Sequence, residues 1–460
     1  MKLIYGVKDK PKFSQVIVFA IQQLLAIMAA TLVVPVIITS NTGHPMSSVA
    51  ALFGAGVGTL VYLLFTKFRS PVFLGSSFAF IGSMTAAFAG GVSMALGFLG
   101  LIIGAILAGL VYVIIAIIVK FAGVKWINKL MPAAVIGPTV TIIGLSLAGN
   151  AIGDLQKAPA GGDAKIALVC GLVTLAVTII CSVYGKKMIK LIPFIMGILA
   201  GYAVATVFTV IGNVAGIDAL KVIDFSPFQA LVADGVNLNT FITVPDFTFV
   251  TAFKGLGELT GSYVITLVAA YVPVAFVVFA EHLADHKNIS SIIEKDLLED
   301  PGLHRTLLGD GVGSMAGALF GGCPNTTYGE SVGCVAITGN ASVITIVTAA
   351  VGAIAISFLA PFVAFVNSIP SCVMGGVCMA LYGFIAVSGL KMVQKVDLEQ
   401  NANLFTVSVI LISGIGGLAL TFGKVTITSI ACALILGILT NLMVNKARKA
   451  PAIEDKKDEE

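Results

Sequence analysis

Apolar stretches of helical length recur along this 460-residue chain from Gln15 to Val444, and that repetition constrains the fold more than any other feature. A helix crosses the hydrocarbon core of a bilayer in about 20 residues. In lipid every backbone N–H and C=O has to find its partner within the segment or within a closed barrel. The chain is 58% hydrophobic and only 11% charged, where soluble domains carry about a quarter charged residues. A soluble enzyme is therefore disfavoured, and the chain reads as an all-α polytopic membrane protein with lipid as its surroundings. The formal net charge is only +4. No basic tract is large enough to track a phosphate backbone, so no nucleic-acid partner is expected.

Taken in order, the apolar runs give fourteen spans, seven in each half. In the first half they fall near 14–34, 46–65, 71–89, 94–119, 130–148, 166–183 and 191–210. In the second they fall near 262–280 (extending toward His286), 306–320, 326–337, 341–363, 372–389, 404–420 and 427–443. Pro35 is expected to interrupt the first. The linkers 149–165 and 212–261 are polar, and the tail 446–460 is charged and expected to be disordered. Residues 1–12 are short and basic with no small-residue cleavage pattern after them, so the first run reads as a span and not a signal peptide. Basic residues cluster at the N-terminus, Lys67, Arg69, Lys120, Lys125, Lys129, Lys186, Lys187, Lys190, Lys287, Lys295, Arg305, Lys391, Lys395 and the tail. All of these fall on one side of the alternating topology, and the other side holds only Lys157, Lys165, Lys221, Lys254 and Lys424. The positive-inside rule then places both termini in the cytoplasm.

The halves share short signatures in the same order: GxGVG at 54–58 and 309–313, PxxVxG at 132–137 and 370–375, and GIL at 197–199 and 437–439. With an odd number of spans per half, such a repeat is inverted. Paired interrupted segments within inverted repeats mark the binding sites of secondary transporters. Here the pair is 71–89 and 324–337. A helix that starts inside the membrane leaves its first amides without intrahelical acceptors. They are free to donate to a bound carbonyl or anion, aided by the helix dipole.

Glu330 sits in the second of these segments with no charged residue near it in sequence, and an intramembrane carboxylate is a functional candidate by default. It can accept hydrogen bonds from ring N–H groups and can carry a proton. Glu281 ends an apolar run, and if its helix continues, Asp285 follows one turn later on the same face. The pair reads either as a polar stripe lining a cavity or as a membrane-exit boundary, because His286 and Lys287 come next. His282 and His286 have i,i+4 spacing but lack the HExxH pattern and a third ligand, so a solvated helix boundary is expected in place of a metal site. The isolated His44 and His304 read as loop residues. The seven cysteines form no CxxC pair and read as small core side chains. Ser76 and Ser77 are not in GxSxG, and the glycines at 54–58 lack the Lys-Ser/Thr of a phosphate loop, which leaves them a packing role. No enzyme chemistry and no cofactor are indicated.

Four motifs, GSSFAFI at 75–81, AEHLAD at 280–285, GDG at 309–311 and NTTYGE at 325–330, resemble those of the nucleobase–ascorbate transporter (nucleobase:cation symporter-2) family. The resemblance covers 13–445 and is to the bacterial uracil permease branch, because purine-type members usually carry a Gln/Asn-containing version of NTTYGE. It implies proton-coupled uracil uptake across the cytoplasmic (cell inner) membrane by alternating access. The alternatives are symport of xanthine or another purine on the same fold, or a passive channel. It implies that Glu281 and Glu330 contact the base, together with main-chain amides at Gly329 and at Phe78 or Ala79. Candidates for the coupled proton are Glu281, Asp285 and Glu330. It further implies a core domain from 13–119 and 262–364, and a gate domain from 130–210 and 371–445. Short crossing strands are expected at 72–76 and 326–328, in the third and tenth segments. A homodimer is also expected, since family members are often dimers. One departure stands out: uracil permeases commonly carry a histidine where this chain has Asp285. The two side chains titrate near 3.9 and 6.5 in water, which leaves the coupling group and the pH optimum open.

Overall fold

The computed structural model describes residues 3–123, 126, 130–159, 161–186, 188–422 and 425–444. Lys125, Lys129, Lys187, Lys424 and the 446–460 tail, which enter the charge asymmetry above, lie outside the described residues. Among the described residues, eight helices are long and apolar enough to cross a membrane: Phe13–Thr42, Ser48–Phe65, Met94–Ala122, Ala133–Leu155, Ala164–Tyr184, Pro193–Ala215, Gly261–Ile293 and Ser371–Val393. Val343–Ile356, Asn401–Ile415 and Ser429–Val444 are shorter apolar helices, and Leu303–Gly321 is a glycine-rich one. The protein is a multi-pass α-helical membrane protein.

Helix association in lipid gains little from the hydrophobic effect and depends on close packing of small residues. The glycines supply it. Gly54 and Gly58 of Ser48–Phe65 lie against Gly317 and Gly313 of Leu303–Gly321, and a β-carbon at any of the four would strike partner backbone or Asn325. Gly109 and Gly311 bring Met94–Ala122 onto the same glycine-rich helix. The glycines at 54–58 are therefore packing residues, and all seven cysteines are buried and unpaired.

The helices pack in two sets. In one, Leu303–Gly321 contacts Ser48–Phe65 and Met94–Ala122, Val343–Ile356 contacts Phe13–Thr42 and Ser48–Phe65, and Gly261–Ile293 contacts Met94–Ala122. In the other, Ser371–Val393 contacts Ala133–Ser146 and Ala164–Tyr184, Pro193–Ala215 lies on Ala164–Tyr184, and Asn401–Ile415 lies on Ser429–Val444. Two three-residue strands, β1 (Leu74–Ser76) and β2 (Asn325–Thr327), pair antiparallel within the first set, with Gly75 opposite Thr326. The first is shorter than the 72–76 expected, and the second has the expected length but starts one residue before 326–328.

Several boundaries differ from the sequence reading. The first helix runs through Pro35 to Thr42. Proline removes one amide, the one that would bond the Thr31 carbonyl, but the helix carries on past this buried residue and stops only at Gly43, whose φ is 74°. The span expected over 341–363 is two helices, Val343–Ile356 and Ala360–Ser368, the second with Pro361 in its first turn. The run expected to be helical over 404–420 ends at Ile415 and leads into a hairpin of Leu420–Phe422 with Val425–Ile427. The 212–261 linker contains short helices at Ser226–Ala230 and Thr248–Ala252.

Outside the spans, Lys295 and Arg69 both pair with Asp300 and hold its carboxyl below the ordinary carboxylate range. A depressed folded value stabilises above the unfolded one, about 3.9, and that contribution disappears as pH falls through the folded value. The melting difference between wild type and Asp300→Asn is therefore expected to be small at pH 7, because all three partners are half-exposed, and to vanish toward pH 3. A much larger effect is expected from Gly317→Leu. Overpacking costs about 1–3 kcal/mol, so this variant melts well below wild type in detergent, whereas Gly149→Ala, with open space around its β-carbon, does not.

Candidate binding site between the helix sets

Strands inside an apolar bundle need every backbone group satisfied, and the sequence supplies the partners. The ladder extends past the strands through Ser77 N–H to the Pro324 carbonyl at 2.9 Å and Tyr328 N–H to the Phe73 carbonyl at 3.2 Å. Side-chain hydroxyls take the remaining amides. Thr59 Oγ1 accepts from Leu74 N–H, Ser331 Oγ from Phe73 N–H and Ser314 Oγ from Asn325 N–H, each at 2.9 Å. Asn325 Nδ2 donates to the Gly54 carbonyl at 3.2 Å, and the Tyr328 hydroxyl donates to the Ser76 carbonyl at 2.7 Å. Tyr328 thus lies over Gly75, where a β-carbon would overlap its ring.

Each strand feeds a short helix without a side-chain N-cap: Ile81–Ala86 after β1 and Gly329–Thr338 after β2. In the second, Val332 N–H is the first to reach back, to the Tyr328 carbonyl at 3.2 Å. The amides of Gly329 to Ser331 therefore precede the intrahelical ladder. Phe78 and Ala79 precede the first helix in the same way. Phe78, Ala79, Gly329 and Glu330 line a cavity of about 440 Å³, closed on its other side by second-set residues such as Val140, Phe194, Leu381 and Ile385.

The third contribution comes from Gly261–Ile293, which continues without a break past Glu281. Glu281 and Asp285, one turn apart, both line the cavity, which matches the polar-stripe reading. Asp285 accepts from the Thr327 hydroxyl at 2.8 Å, and its Oδ1 is the nearest atom, at 3.9 Å, to a β-carbon built on Gly329. All six residues singled out from sequence, Phe78, Ala79, Glu281, Asp285, Gly329 and Glu330, meet in one space. The arrangement offers carboxylate acceptors and free backbone donors to a small planar ligand.

The two histidines of this helix overturn the solvated-boundary expectation, since both are fully buried. They occupy the face turned away from the cavity. His282 Nδ1 lies 2.7 Å from Asp310 Oδ2, and its Nε2 lies 3.0 Å from Thr306 Oγ1. His286 Nδ1 donates to the His282 carbonyl at 2.8 Å, and its Nε2 is 2.7 Å from the Tyr62 hydroxyl. The rings stack with centroids 4.0 Å apart. Asp310 was missed as a partner, although the GDG motif marked its position. No group of three metal-ligating side chains occurs among the described residues. Removing one member of a buried hydrogen-bonded pair leaves the other unsatisfied and costs about 1–3 kcal/mol. His282→Ala is expected to lower the detergent melting temperature sharply, and His282→Ala combined with Asp310→Ala to recover part of the loss. Simple additivity of the two substitutions would contradict the pairing.

Comparison with known proteins follows the same lines. A permease-family model matches residues 14–422. A uracil permease of Bacillus caldolyticus is 40% identical over 447 residues, covering 96% of this chain and 95% of that protein. Those of Bacillus subtilis and Escherichia coli are 37% and 36% identical, covering 98% and 95% of this chain and 97% and 93% of theirs. Among solved structures, the transmembrane domain of a cyanobacterium bicarbonate transporter, BicA, superposes with a TM-score of 0.57 at 14% identity, covering 95% of this chain and 99% of that one. The murine anion transporter Slc26a9 in its inward-facing state gives 0.62 at 11% identity, covering 96% and 69%. At such identities the likeness is one of fold alone.

Proposed function

This chain belongs to that permease family, the nucleobase:cation symporter-2 family, in its bacterial uracil permease branch, and from that membership we propose that it takes up uracil together with protons. It is a transporter and not an enzyme. The observation that carries the reading is the convergence of Glu281, Asp285 and Glu330 with two uncapped helix starts on one cavity. Uracil is a neutral planar ring with alternating N–H donors and carbonyl acceptors. Glu281 and Glu330 accept from its ring N–H groups, while the amides at Gly329 and at Phe78 or Ala79 donate to its carbonyls. A neutral base brings no charge of its own, so a proton held by Glu281, Asp285 or Glu330 is what makes its passage respond to the proton gradient. Where relatives commonly place a histidine, this chain has Asp285 with its Thr327 hydrogen bond, and among the described residues no histidine lines the cavity.

In the same reading the fourteen spans form two inverted repeats of seven. A core domain of 13–119 and 262–364 rocks against a gate domain of 130–210 and 371–445. The two packing sets and the cavity between them support this division. The positive-inside rule, applied to the basic loops, favours the cytoplasmic side for both termini and for the Lys190 end of the cavity. A homodimer completes the proposal.

Radiolabelled uracil uptake is expected to collapse with a protonophore, and undiminished uptake would rule out proton coupling. Glu281→Gln and Glu330→Gln each remove a charged hydrogen-bond acceptor worth about 1.5–3 kcal/mol. Each should therefore reduce uptake roughly 10- to 100-fold with membrane expression intact. Near wild-type transport in both would remove the proposed site. Excess xanthine or adenine is expected not to compete; effective competition would reassign the substrate to purines.

A further inference from the structure

The carboxylate cavity is not the only space between the helix sets. A second chamber, of about 250 Å³, lies beside it. Phe78 and Ile143 line both spaces, so these two side chains form the partition. The chamber lies toward the membrane face opposite Lys190. Asn150 lies toward the end of Ala133–Leu155, whereas Lys190 follows the end of the next span, Ala164–Tyr184.

Three features of the chamber have no role in the mechanism above. Its polar lining, Asn41, Thr85, Ser146, Asn150, Thr428 and Ser429, is made of amides and hydroxyls, with no charged residue among the lining side chains. Its rim carries a bond between the helix sets, from Asn150 Nδ2 to Asn41 Oδ1 at 2.5 Å. Ser40 donates to Asp154 across the same junction at 3.3 Å. Finally, Gly82 faces it with space to spare: a β-carbon there would meet only Ile430 Cδ1, at 3.8 Å. Gly54, Gly58, Gly313 and Gly317 are needed for close helix contact, but Gly82 is not. Its missing side chain keeps the chamber open.

The chemistry suits one class of ligand. A carboxamide presents a carbonyl oxygen beside an N–H donor, and the imide edge of a pyrimidine dione presents the same pair. Such a base can exchange with the Asn41–Asn150 bond, satisfying both amides as that bond opens. The volume is below the roughly 300–1,000 Å³ of sites for drug-sized ligands and fits a single small ring, with Phe78 available for stacking. We propose that this chamber is a second, transient nucleobase site, occupied after the base passes Asn41 and Asn150 and before it passes Phe78 and Ile143. The proposal rests on the uracil reading above.

The test fills the chamber from either side. Gly82→Leu fills it from the first helix set and Ser146→Leu from the second, with Gly82→Ala as the smaller step. Concentration-dependent uptake of radiolabelled uracil is measured in cells, and equilibrium binding of uracil to the purified proteins by calorimetry. The expected result is an apparent KM for uptake raised about tenfold by either leucine and less by alanine, while equilibrium affinity at the carboxylate cavity stays within about twofold. An unchanged KM in a folded leucine variant overturns the chamber site and leaves the uracil reading standing. Equal losses of uptake and equilibrium affinity in both leucine variants also overturn it, because the damage then lies in the first cavity. Absence of uracil uptake by the wild-type chain overturns the uracil reading, and the chamber proposal with it.

Discussion

The pairing of β1 with β2 is the constraint on which the rest of the structure depends. Six residues in a lipid-embedded bundle abandon the helix, and without the helix their backbone groups need partners from elsewhere. Thr59, Ser314 and Ser331 provide them, Asn325 ties β2 back to the Gly54 carbonyl, and each has to be brought within hydrogen-bond reach by close helix contact. That explains the glycines of Ser48–Phe65 and Leu303–Gly321: Asn325 reaches the Gly54 carbonyl only because no side chain stands at Gly58 or Gly317. Loosening the glycine interface would deprive the strands of their partners.

The pairing also produces the site. Two helices begin where the strands end, both uncapped, and both starts line the same cavity. The long helix Gly261–Ile293 adds the carboxylates, and it is polar on two faces for different reasons. Glu281 and Asp285 face the cavity, whereas His282 and His286, each one residue further on, turn inward to Asp310, Thr306 and Tyr62. The inward face locks the rotation of the helix, which sets where the carboxylates point.

The sequence made much of this legible, and its failures have physical causes. Long apolar runs identified most spans, and the two interrupted segments identified the strand pair, because both signals are local. Glu330 was readable because a carboxylate in an apolar segment has few structural reasons to exist, whereas Phe78 and Gly329 were singled out through the family resemblance. Pro35 was misjudged because helix propensity is a local preference that the packing around a buried residue overrides. His282 and His286 were misjudged because spacing gives the face of a helix but not what packs on it; the partner that buries them, Asp310, lies 28 residues further on. The 425–427 strand has too few residues to show a period. The Asn41–Asn150 bond joins residues 109 apart, a distance over which no local pattern speaks.

The most direct test of the account is whether uracil brings protons with it. The purified protein is reconstituted into liposomes loaded with a pH-sensitive dye, with no initial pH gradient, and uracil is added outside. Coupled transport through the carboxylate cavity predicts acidification of the lumen that tracks uracil entry and is lost in Glu330→Gln. Uracil entry at the normal rate with no change in lumenal pH would contradict it.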